Sequence, residues 1–134
     1  MPALMDWLLS VSASSRWIIT LILAAIVVAL SISPGVKQSG GNIFVWVIVR
    51  TPTLMQKIMH VVTYATLAIS WMWTLESIES RTVQISLTII ATVGVGAVLE
   101  WHQTRVPGRF GTIFDVALNA IGAAIGLALA LYLL

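Results

Sequence analysis

Cysteine is absent from this 134-residue chain, and only 9% of its residues carry a formal charge. The first absence excludes disulfides and thiolate metal sites, and it leaves the compartment open. The second, set against 59% apolar residues and a mean hydropathy of +1.01, excludes a water-soluble domain, because no soluble core of this size could hide so much apolar surface. Internal repeats and a second domain are missing too. No nucleic-acid partner, no metal and no resident cofactor are expected.

What is present is hydrocarbon in long runs. Four segments reach the roughly 20 apolar residues, at about 1.5 Å of rise each, that cross a bilayer. They extend roughly over residues 17–33, 52–75, 82–103 and 112–134. Backbone polar groups cannot be left unpaired in lipid, so these runs are predicted to be helices of an all-α, integral membrane four-helix transmembrane bundle, a single domain over 1–134. A secretory signal is the alternative reading of the first run, since Arg16 precedes it and small residues end it. Its length exceeds the roughly 7–15 residues of a signal's apolar region, which favours a membrane anchor. Pro2 to Ser15, with Leu4, Trp7 and Leu8 around the single charge of Asp6, suits either a short helix in the headgroup layer or disorder. Pro34 to Asn42 reads as a link. The seven apolar residues that follow, 43–49, are too few to span and are expected on the bilayer surface, as a plain anchor or as a lip beside the polar cluster. Thr51 and Pro52 suit the cap and first turn of the second long helix.

The polar residues concentrate between Glu100 and Asn119, in the run E-W-H-Q-T-R-V-P-G-R-F-G-T-I-F-D-V-A-L-N. On the second long helix, Lys57, His60 and Tyr64 share a stripe roughly 60° wide. Glu100 and Gln103 lie three apart at the end of the third. Asp115, Asn119, Gly122 and Gly126 share one face of the fourth, where the G-x-x-x-G spacing permits close approach of another helix, within the bundle or in a homo-oligomer. Antiparallel packing brings these groups to one membrane face. A structural reading stands beside this one: Thr112-Ile-Phe-Asp115 fits a capping box, and Glu100 could simply pair with Lys57, Arg109 or His60. Glu100, Lys57 and Arg109 all stand against the local helix dipole, so each is expected to have a partner. Internal pairing leaves positive charge over, since Lys37, Arg50, Lys57, Arg105 and Arg109 face only Glu100 and Asp115 on this side. A lipid phosphate would complete the balance.

These residues carry a resemblance to the VanZ-like family of small bacterial membrane proteins. Lys57, His60, Tyr64 and Leu67 are spaced as in the family's first motif. Its second resembles Glu100-x-x-Gln103, then Pro107-Gly108-Arg109, then Asp115-x-x-x-Asn119-x-x-Gly122. The resemblance covers residues 55 to 130; the chain departs from it at Gln56, where many relatives have an aspartate. It implies a setting in the bacterial cytoplasmic membrane and an association with resistance to the glycopeptide teicoplanin, more than it implies an activity.

Residues and resemblance together predict binding of an anionic envelope lipid such as a polyprenyl phosphate. Lys57 and Arg109 would hold the phosphate, Glu100 and Asp115 would orient the basic groups, and His60, Tyr64, Gln103 and Asn119 would complete the anion-binding set. Two alternatives remain open. In one, His60, Glu100 and Asp115 form a general acid/base set or a metal site acting on a lipid-linked phosphate or sugar, with His102 outside it, about 200° around the helix from Glu100. In the other the chain is a non-catalytic subunit of a larger envelope complex. Trp71 and Trp73 read as an aromatic belt, Glu76, Glu79 and Arg81 as a solvated turn, and Gln84 as interfacial. Thr88, Thr92, Ser70 and Thr74 can back-bond within their own helices. Lys and Arg number five on the motif side against Arg16 and Arg81 on the other, which formally points the motif to the cytoplasm; without Lys57 and Arg109 the count is three against two.

Overall fold

The computed structural model describes residues 10–35 and 43–134, and every regular element in it is helical. Helix α1 spans Ala13–Ile32, α2 Ile43–Arg50 and α3 Thr53–Thr74, which a 3-10 turn extends over Leu75–Ser77. The third long segment is α4, Arg81–Ile89, a π-helical turn, Ile90–Gly94, and α5, Val95–Gln103; α6 spans Ile113–Leu133. Four of these stretches, Ala13–Ile32, Thr53–Ser77, Arg81–Gln103 and Ile113–Leu133, are long and apolar enough to cross a bilayer. Pro2 to residue 9, and the link with Lys37, lie outside the described residues.

The distribution of side chains is inverted relative to a soluble bundle. Ile18, Leu21, Ile22, Leu54, Val62, Ile90, Val98, Ile121 and Leu129 face outward, while Thr20, Ser70, Thr74, Gln84, Thr88, Thr92, Gln103 and Asn119 are buried. Such an arrangement is stable only where the surroundings are hydrocarbon and polar groups must satisfy one another inside. The chain is therefore a multi-pass membrane protein.

Helices α3 and α6 form the spine, with the most extensive contact in the bundle. Gly122 and Gly126 make it possible: a Cβ at either would stand 2.4 Å from the Val61 carbonyl oxygen or 2.2 Å from that of Ala65. The G-x-x-x-G face is thus spent within the bundle. Gly96 serves the neighbouring contact, where a Cβ would meet the Tyr64 ring at 2.6 Å. Helix α1 is the least buried of the four spans and packs mainly on α3.

Away from the motif, the bundle end is closed by its own polar groups. Arg16, only 8% exposed, pairs with Glu76 at 3.0 Å and donates to the carbonyls of Val11 and Trp73. Its guanidinium also lies over the Trp73 ring. One turn deeper, the Thr20 hydroxyl meets those of Ser70, at 2.5 Å, and Thr74, at 2.7 Å, so that these residues join α1 to α3 besides the back-bond from Thr74 to the Ser70 carbonyl. Gln84, in the first turn of its span, is 2% exposed: its amide donates to the Met72 carbonyl and its oxygen accepts from Arg81. Thr88 and Thr92 do back-bond, to the carbonyls of Gln84 and Thr88.

At the start of α3, Thr51 does not cap. Its hydroxyl donates instead to the Val47 carbonyl at the end of α2, its own carbonyl accepts from the Gln56 amide, and Pro52 takes the cap position.

Candidate functional site

At the motif end, the start of α3, the end of α5 and the start of α6 converge as antiparallel packing requires. The α5–α6 connection is built around Val106-Pro107-Gly108-Arg109. The Arg109 N–H closes it onto the Val106 carbonyl at 3.0 Å, and Gly108 has φ 74°. Proline followed by a left-handed residue is the geometry of a type II turn, which calls for glycine at that third position. The turn is docked from outside by the chain leaving α1, where the Gly35 N–H donates to the Pro107 carbonyl at 2.9 Å.

Beside this turn lies a cavity of about 90 Å³. Its lining combines apolar side chains, Val27 and Leu30 of α1, Val47 of α2 and Met59 of α3, with polar ones, Gln56, His60, Thr63, Tyr64, Gln103 and Arg109. Helix α2 therefore does more than lie at the surface: it supplies part of the wall.

His60 and Asn119 meet across α3 and α6, with Nδ1 at 2.8 Å from the Asn119 Oδ1. The same ring nitrogen lies 3.7 Å from Oε1 of Glu100, which is 4% exposed. Two atoms of this cluster, Oε2 of Glu100 and Nδ2 of Asn119, are buried without a hydrogen-bond partner. A buried polar atom left so costs on the order of 1–3 kcal/mol, which a structure tolerates where the atom has a use or a missing guest.

Arg109 is half-buried, and its side chain makes no hydrogen bond or ion pair among the described residues. Burial lowers its pKa from the ordinary arginine value, against the opposing pull of the Glu100 and Asp115 carboxylates. It stays a cation at neutral pH. Asp115 itself closes the start of α6: the Thr112 hydroxyl accepts from the Asp115 N–H at 3.1 Å and donates to its carboxylate at 2.6 Å. Thr112 thus caps the helix, with Asp115 bonded to the capping hydroxyl and not to the Thr112 N–H, and the Asp115 charge reaches Arg109 as well.

The comparison with protein families finds the VanZ/LLP1 description over residues 9–134. The chain belongs to the VanZ/LLP1 family. No curated protein and no solved structure matched it.

The VanZ/LLP1 motif residues are not all placed alike. His60, Tyr64, Gln103 and Arg109 line the cavity, while Glu100 and Asn119 stand behind His60 and hold it. Lys57 is exposed outside the cavity lining, its ammonium 5.0 Å from the centre of the Phe114 ring. Arg50 and Arg105 are exposed as well, over Trp46 at 4.9 Å and Trp101 at 3.9 Å. These three cations make a rim of cation–aromatic pairs, as suits side chains at the headgroup level. His102 is exposed, away from the cluster. Among the described residues no group of His, Asp and Glu has the arrangement of a metal site. Sequence reasoning missed the α1 contribution to the cavity, Val27 and Leu30, because an apolar residue in an apolar run carries no mark of which neighbour it faces.

Proposed function

We propose that this VanZ/LLP1 protein binds the anionic phosphate-bearing head group of an envelope lipid in the bacterial cytoplasmic membrane. The observation that carries the reading is the Arg109 guanidinium, a half-buried cation without a hydrogen-bond or ion-pair partner among the described residues, at a cavity lined by both polar and apolar side chains. Such a cavity suits a ligand that joins a charged head to a hydrocarbon chain. The rim cations Lys57, Arg50 and Arg105 raise the local concentration of anionic lipids without touching the bound one. A role in glycopeptide resistance belongs to the same reading, through capture of an envelope precursor.

The test is mass spectrometry of the lipids retained by the purified protein. Wild type should carry an anionic lipid that Arg109→Ala loses while remaining a folded, monodisperse protein in detergent. Equal retention by both proteins refutes the assignment.

A second reading rests on His60. Its Nδ1 meets the Asn119 oxygen and faces Glu100, which leaves Nε2 as the nitrogen that a general base would use. Turnover of a lipid-linked phosphate, lost in Glu100→Gln, would establish it. An assembly subunit, by contrast, should tolerate Arg109→Lys, whereas a bidentate anion contact should not.

A further inference from the structure

The charges around the cavity limit what it can hold. Arg109 is the one cation that lines it among the described residues. Lys57, Arg50 and Arg105 are exposed on aromatic rings at the rim. His60 is already matched by Glu100, and both Glu100 and Asp115 act on Arg109. A ligand with two negative charges would meet one guanidinium, whose charge Glu100 and Asp115 already oppose from outside the cavity lining. The other polar groups facing the cavity include the Gln103 amide and the Tyr64 hydroxyl, each on a residue 4% exposed, which make no hydrogen bond among the described residues. An amide offers donor and acceptor together, which suits a hydroxyl group better than a bare phosphate that only accepts.

Resting on the lipid-binding reading above, we infer that the head group is a singly charged phosphodiester bearing hydroxyls, not a phosphomonoester or a pyrophosphate. Arg109 takes the phosphodiester oxygens, and Gln103 with Tyr64 takes the hydroxyls. Two lipids share that chemistry: a polyprenyl phosphate esterified to a sugar, and a glycerophospholipid with a polyol head.

The experiment places the full chain in phosphatidylcholine nanodiscs with equal mole fractions of four probes: polyprenyl phosphate, polyprenyl pyrophosphate, a hexosyl polyprenyl phosphodiester, and phosphatidylglycerol. At pH 7.5 at least one diester should be retained roughly tenfold over the monoester and the pyrophosphate, as expected when an added negative charge finds no second arginine or lysine in the lining. Which diester dominates identifies the source. Asp115→Asn should narrow that gap several-fold, and Gln103→Leu should weaken the favoured diester while leaving the ranking of the two unesterified carriers unchanged. Preference for the monoester or pyrophosphate overturns the charge limit and leaves lipid binding intact. Retention of no anionic probe above the phosphatidylcholine background overturns both readings.

Discussion

The two ends of the bundle handle buried polar groups in opposite ways. At one end Arg16 has a carboxylate, two carbonyls and an aromatic face, and the hydroxyls of Thr20, Ser70 and Thr74 satisfy each other. At the other end Arg109 has no hydrogen-bonding partner among the described residues, and one oxygen of Glu100 and the amide nitrogen of Asn119 are unsatisfied. Both ends contain an arginine drawn into the protein. Only one completes its coordination from within, so the first end is explained by stability and the second is not.

The largest effect should come from the spine on which both ends depend. Gly126→Val sets a branched side chain against the Ala65 backbone, which cannot yield as a side-chain tip could. We expect a loss of about 3 kcal/mol or more, read by denaturant titration of helicity in detergent, with both ends disrupted. Arg16→Ala should cost about 2 kcal/mol by the same measurement, below the full value for a buried pair because Glu76 is partly exposed, and should leave lipid retention at the far mouth unchanged. Ser70→Ala removes a hydroxyl from the closed cluster. Hydrogen bonds inside membranes average about 0.6 kcal/mol, and a loss of that order is expected. Arg109→Gln should change stability least, within about 0.5 kcal/mol, while abolishing lipid retention. If Arg109→Gln proved as destabilising as Arg16→Ala, the two ends would be doing the same work and the distinction would collapse.

The sequence made the four spans legible because hydropathy reports directly on the solvent, and here that solvent is lipid. Convergence of His60, Glu100 and Asn119 was legible too, because helix periodicity and an antiparallel order suffice to bring them together. Lys57 shows where periodicity stops. It shares an azimuth with Tyr64, yet Tyr64 is buried and Lys57 is exposed, since at that level α6 has only begun and Ile113 and Phe114 are themselves exposed. Azimuth does not encode depth. The Arg16–Glu76 pair was hidden for a related reason: each residue alone reads as a charge at a helix end, and only the packing of α1 on α3 makes them partners. Gln84 reads as surface-facing until Met72 supplies the carbonyl that lets it be buried. The π-helical turn at Ile90–Gly94 has no residue signature that periodicity detects, although Thr92 inside it bonds the carbonyls of both Thr88 and Ile89.

The contact between Gly35 and Pro107 joins the segment after the first span to the connection between the last two, and it is made by main chain on both sides. In a bilayer, each span becomes helical on its own before helices dock. This clasp therefore cannot close until the first, third and fourth spans have all been inserted and have found one another. The arginine beside it acquires its position only once those spans have docked, so an incompletely inserted chain lacks the assembled mouth.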